Sequence, residues 1–195
     1  NGRVADYDKP MWSLGRALFV FSRLYRLIGA RHEWLDVADG IFEFMLPIGE
    51  HNQWVWPQTV ARDGQILQPA ECIYADGFAI MGMTEYAMAT GSDEAMGMAL
   101  ATFETVEERF CTLGTHLAVP EHLVGRAMTH GISMIFSTVY HALGAYSSDA
   151  EILRAGHEHA ELILDVYRRP EMRLLPEYAA LDGSLLDEPE GKLVI

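Results

Sequence analysis

Arg16 stands inside the stretch MWSLGRALFVFSRLYRLIG (residues 11–29), which is apolar or aromatic at most other positions. A guanidinium is rarely buried unless something pairs with it, so its presence there asks for a partner. At helical spacing Trp12 lies one turn before Arg16 and Val20 one turn after, so the cation emerges from an apolar stripe. Two partners fit. A structural carboxylate can pair with it. If the stripe instead faces a cavity, the planar fork of N–H donors can be presented to ligand oxygens while Trp12 offers a flat apolar face. Arg23 and Arg26, later in the same run, are expected to snorkel to solvent.

Other residues carry weaker signals. Tyr74 opens an apolar segment and can hydrogen-bond a hydroxyl while its ring packs. Asp76, two residues on, is expected to pair with Arg16 or to cap a helix. Of the eight histidines, His130 lies near Met134 in another apolar segment, and His141 follows it. The triplet HEH at 157–159 invites a metal reading, but alternate residues on a helix point in different directions, so a solvated outer face is expected and no metal. Cys72 and Cys111 have no metal-like spacing and read as reduced core thiols. No cofactor is expected.

These residues must be positioned by helices. Apolar periodicity and end signals predict helices over 10–29, 32–47 (stopped near Pro47 and Gly49), 71–91, 92–111, 122–146 and 147–169. Ser92, followed by Asp93 and Glu94, reads as an N-cap. Two β-prone runs flank Arg62-Asp63-Gly64 and predict a hairpin, and the tail from Pro170 reads as short extended pieces separated by Asp-Gly and Glu-Gly turns. Three times a very apolar helix is followed by a tight turn and a more amphipathic helix, the turns being ARHEW, GSDEA and SSDAE. A helix apolar all round is buried on two sides, and its amphipathic mate lies outside. That is the pattern of an α/α toroid, with an inner ring of helices around a cavity. Three pairs do not close such a ring. The fold class expected is therefore all-α, about half of an (α/α)6 barrel of helical hairpins with a small β-hairpin and extended loops, and residues 1–195 form one partial domain.

The net charge of −14 disfavours nucleic acid and anionic lipid as partners. No apolar run is long enough to span a membrane, and no signal peptide is visible, so a cytoplasmic location is expected.

Three blocks resemble the N-acylglucosamine 2-epimerase family, which includes cellobiose 2-epimerases and aldose–ketose isomerases. They are Lys9, Trp12 and Arg16 followed by FSRLY at 21–25; YADGFA at 74–79 followed by MTEYAMATGSDEA; and EYAALDGSLLDEPEGK at 177–192. Gly77 and Tyr178 depart from the family pattern. The resemblance implies an (α/α)6 toroid that opens a sugar ring and moves the proton on the carbon beside the aldehyde, giving the 2-epimer or the ketose. It implies that Arg16, beside which Trp12 offers its flat face, contacts the sugar, and that Tyr74 does so too. It places His130 in a region where some isomerases carry a substrate-contacting histidine and the acylglucosamine epimerases carry methionines, a pattern Met134 matches better. It puts Glu177 at a position that is structural or substrate-positioning. The family's two catalytic histidines would lie beyond Ile195, so no residue of this chain is assigned the acid or base. The expected partner is a small sugar, and homodimers are common in the family. Two other readings stand beside this one. An α/α-barrel glycoside hydrolase would use Asp76 and Glu177 as its carboxylates. A non-catalytic scaffold would bind a sugar or a partner without turnover.

Overall fold

The computed structural model describes residues 6–111, 118–170, 172–187 and 189–192. Two compact units divide the chain, Asn1–Glu108 and Arg109–Ile195.

The first unit contains α1 (Met11–Leu27), α2 (His32–His51), α3 (Tyr74–Thr90) and α4 (Asp93–Phe110), the last of which ends just past the unit's boundary. Short strands β1 (Lys9–Pro10), β2 (Thr59–Val60) and β3 (Ile66–Gln68) form one antiparallel sheet in that order. The predicted turn joins β2 to β3: Ala61 N–H donates to the Gln65 carbonyl at 2.8 Å, and Gly64 takes the positive φ of 89° that a side chain disfavours. Strand β1 has no local signal, because Pro10 alone reads as the start of the first helix.

Helices α1 and α3 pack together in parallel. A Cβ on Gly15 would overlap the Phe78 carbonyl oxygen and lie 2.9 Å from the Ala79 nitrogen; one on Gly82 would lie 2.5 Å from the Gly15 oxygen and 3.1 Å from Leu18 Cβ. Further along, Arg23 and Arg26 of α1 meet Glu85 of α3. Contacts thus advance in the same direction on both helices. Helix α3 is buried around most of its circumference, from Ala75 through Ala87, as its apolar residues on every side require, and it takes Asp76, Thr84 and Glu85 into the interior with them. Helix α2 buries one stripe only, Ala38, Phe42, Met45, Ile48 and Gly49.

That stripe explains why α2 runs through Pro47 instead of stopping there. Pro47 lies on the exposed side of the helix, where the carbonyl it leaves unbonded can meet water. Ile48 and Gly49 on the buried side continue the packing, and Gly49 lies against the rings of Trp54 and Trp56. Ser92 caps α4 as expected, its Oγ accepting from the Ala95 N–H at 3.1 Å.

The second unit holds the hairpin of α5 (His130–Ser147) and α6 (Ala150–Leu162), followed by a π-helical turn, Ile163–Tyr167. Asp149 caps α6 through the N–H groups of Glu151 and Ile152. Gly144 and Gly156 let the two helices touch, since a Cβ on Gly144 would lie 2.7 Å from the Leu153 nitrogen. The helix expected to start at 122 starts at His130. Before it come a 3-10 turn (Glu121–Leu123), Gly125 at φ 74°, and β4 (Ala127–Thr129), which pairs antiparallel with β5 (Tyr178–Ala180). Pairing with a strand about fifty residues away is a tertiary effect that local periodicity does not encode. Among the described residues no helix is long and apolar enough to cross a membrane.

Candidate functional site

Each unit brings together part of the candidate set. In the first, Arg16 projects from α1 into solvent with its Cζ 5.3 Å from the Trp12 ring centroid and 5.4 Å from that of Phe78. The two rings lie 6.4 Å apart, tilted by 48°, and Trp12 is itself 39% exposed. Among the described residues no carboxylate pairs with Arg16, so the structural carboxylate that its sequence context allows is absent there. Aromatic faces take that place, and the in-plane N–H donors remain open to a ligand. Tyr74 begins α3 and is half-buried.

Asp76 is fully buried and does not reach Arg16. Its Oδ1 accepts the Trp56 backbone N–H at 3.0 Å, while the Trp56 indole N–H donates to Thr102 Oγ1 at 3.1 Å. The carboxylate therefore pins the segment after α2 between α3 and α4. Arg23 and Arg26 do not simply run out to solvent either. Both converge on Glu85, which is 4% exposed, at 3.3 and 2.7 Å. Burying that carboxylate requires positive partners, and the arginines supply them. A sequence signal for Glu85 exists: an acid in the middle of a largely apolar helix raises the same question as Arg16.

In the second unit His130 and Glu177 come together. His130 is 3% exposed, its backbone N–H donates to the Glu177 carbonyl at 2.9 Å, and its ring meets Tyr167 edge-on at 5.5 Å. Its Nδ1 has no hydrogen-bond partner. Burial pushes the imidazole below its ordinary value, with the Glu177 carboxylate pulling the other way. Thr129 joins them. Its hydroxyl donates to Glu177 Oε1 at 3.0 Å and also accepts from the Gly131 N–H, capping α5. Sequence reasoning misses Thr129, because apolar periodicity carries the helix straight through it. Met134, one turn beyond His130, is 45% exposed. A cavity of about 140 Å³ opens beside this cluster, walled by Thr129, Ile132, Ser133 and Tyr167 on one side and Phe110 and His159 on another. His157 and His159 diverge, as their spacing requires, but only the first lies on the solvated face expected of both: it pairs with Glu161 at 3.1 Å, whereas His159 packs inward on the rings of Phe110, Phe136 and Tyr140. Cys72 and Cys111 form no disulfide with each other, and neither is the core thiol expected: Cys72 is half-buried and Cys111 exposed.

Residues 1–190 match the family model described as N-acylglucosamine 2-epimerase (GlcNAc 2-epimerase). The chain belongs to the N-acylglucosamine 2-epimerase family. A cellobiose 2-epimerase of Bacteroides fragilis is 33% identical over 103 residues, which make up 51% of this chain and 26% of that enzyme. The human N-acylglucosamine 2-epimerase is 34% identical over 99 residues, 47% of this chain and 22% of its own. Among solved structures, the cellobiose 2-epimerase of Bacillus thermoamylovorans superposes with a TM-score of 0.81 at 17% identity, over 93% of this chain and 50% of that one. This member of the epimerase family thus spans about half the length of the solved relative, and its fold class is all-α, matching half of an (α/α)6 barrel with small sheets.

Proposed function

We propose that the protein acts in sugar 2-epimerisation or aldose–ketose isomerisation and that the exposed face of α1 bearing Trp12 and Arg16 is a sugar-contacting surface. The observation that carries this is the guanidinium of Arg16, which lies over aromatic faces with its donors uncommitted, in a chain of this family. A sugar offers what such a surface accepts: an apolar ring face for Trp12 and oxygens for the donor fork. In the reaction a proton leaves the carbon beside the aldehyde of the open-chain sugar and negative charge develops on the carbonyl oxygen. Return of the proton to the opposite face of that carbon gives the 2-epimer, and its return to the neighbouring carbon gives the ketose. Donors aimed at the developing oxyanion lower that barrier, a task for Arg16 and Tyr74. Proton transfer itself needs groups that titrate near neutrality, and we assign that role to no residue of this chain. Within the second unit, taken by itself, we assign a sugar-contacting role to His130, Met134 and Glu177, with Thr129 and the His130 backbone holding Glu177 in place.

The hydrolase alternative loses ground on geometry. Asp76 is 0% exposed and committed to the Trp56 N–H, so it cannot protonate a glycosidic oxygen without leaving the core. Incubation of the full-length protein with D-mannose, N-acetyl-D-glucosamine and cellobiose in deuterated water tests the proposal. Deuterium on carbon 2 of an epimer or on carbon 1 of a ketose supports it, and cleavage of cellobiose without exchange refutes it.

A further inference from the structure

Phe78 and Trp12 both lie against the Arg16 guanidinium, but they differ in one respect. Trp12 and Arg16 belong to the same helix, one turn apart, so their contact leaves the cation free to swing with α1's own side-chain rotamers. Phe78 comes from α3, and its ring fixes the cation relative to a second helix. The backbone brings the two side chains within reach of each other. Gly15, the residue before Arg16, sits directly on the Phe78 carbonyl, so the two helices approach most closely where the guanidinium emerges. An exposed arginine ordinarily samples many rotamers, and none of the described carboxylates restrains this one. What holds it is the pair of rings, which lie side by side 6.4 Å apart, so both meet the guanidinium from one side and leave its other side open.

We propose that Phe78 is a positioning residue: its ring completes, with that of Trp12, a tilted aromatic shelf on which Arg16 rests, so that the donor fork is presented to sugar oxygens in one orientation before the sugar arrives. This deepens the sugar-contacting reading of Arg16 and rests on it. Preorganisation of this kind raises affinity by removing the ordering cost at binding, with no contact from Phe78 to the ligand.

The experiment uses 15N-labelled chain and four proteins: wild type, Phe78→Leu, Phe78→Tyr and Arg16→Lys. The Nε–Hε resonance of Arg16, assigned by its loss in Arg16→Lys, reports ring-current shift without any sugar. Titration with cellobiose, D-mannose and N-acetyl-D-glucosamine reports affinity, and far-UV circular dichroism reports the fold. Phe78→Leu keeps much of the apolar volume and removes the π face; the Arg16 signal moves toward its position in an unstructured peptide and sugar affinity falls about 2- to 5-fold, the size of one exposed cation–π contact. Phe78→Tyr restores both. An Arg16 resonance that Phe78→Leu leaves in place, or a shifted resonance with unchanged affinity, overturns the positioning role. If Arg16→Lys or the wild type shows the sugars to be indifferent to Arg16, the sugar reading fails first and the positioning role goes with it. Should Phe78→Leu lose its helical signal, the Tyr variant decides: resonance and affinity as in wild type support the shelf, and a displaced resonance or weaker binding rejects it.

Discussion

Gly15 of α1 rests on the Phe78 carbonyl of α3 so closely that no side chain fits between them. This one contact sets the spacing of the two parallel helices and, through it, the place where Arg16 meets the Phe78 ring. Gly15→Ala is expected to force the helices apart and cost about 1–3 kcal/mol, the usual penalty for overpacking a close contact. Gly97, on the exposed face of α4, is the contrasting site, because a Cβ there would meet nothing within 4 Å. There Gly97→Ala should stabilise by about 0.4–1 kcal/mol. Chemical denaturation of the two variants, followed by tryptophan fluorescence, checks both signs.

Glu85 anchors the other end of the same helix pair. Glu85→Ala removes a buried carboxylate from two arginines that both retain access to water. The loss should be about 2 kcal/mol, below the roughly 3–5 of a fully buried pair, because neither cation is left stranded. The measurement is the urea midpoint at low and high salt. A midpoint equal to wild type at both would mean that the network contributes nothing.

Asp76 is expected to behave as a structural residue. Asp76→Ala leaves the buried Trp56 N–H without its acceptor, costing about 1–3 kcal/mol. If the variant melts like wild type but loses activity toward sugars, the carboxylate has a chemical role that its burial argues against.

His130 predicts the acid behaviour of the second unit. Burial holds its folded-state value below the ordinary 6.5. The unfolded chain therefore binds the extra proton first as pH falls. The stability that the neutral imidazole contributes is complete above 6.5 and is lost as pH drops through the folded value. His130→Gln should flatten this part of the stability–pH curve, and Glu177→Gln should push the His130 titration lower still by removing the anion beside it. All four tryptophans lie in the first unit, so the readout is the histidine carbon-bound proton in NMR, with tyrosine fluorescence for unfolding.

Much of this arrangement is legible in the sequence wherever the cause is local. The three helical hairpins, the Ser92 cap and the Arg62-Asp63-Gly64 turn follow from periodicity and from side chains a few residues apart. Causes that act across the chain are not legible. Pro47 stays helical because its open carbonyl faces water while Ile48 and Gly49 are packed. Residues Ala127–Thr129 become a strand because Tyr178–Ala180 pairs with them. Arg23 and Arg26 find Glu85 at separations of 62 and 59 positions. Within the candidate site, the Trp12–Arg16 contact is an i,i+4 relation and can be read directly. Phe78 and Thr129 act through Arg16 and Glu177, and residues of that kind show themselves only when the helices are placed.

The central claim is that the Arg16 face of α1 meets a carbohydrate, and sugar titration of the wild-type chain tests it most directly. The signals to follow are the Trp12 indole N–H and the Arg16 Nε–Hε, with the indoles of Trp34, Trp54 and Trp56 as internal controls. Saturable movement of the Trp12 and Arg16 signals with cellobiose, D-mannose or N-acetyl-D-glucosamine, while Trp34 and the buried Trp56 stay in place, is the expected result. Signals from Trp12 and Arg16 that ignore all three sugars would contradict it.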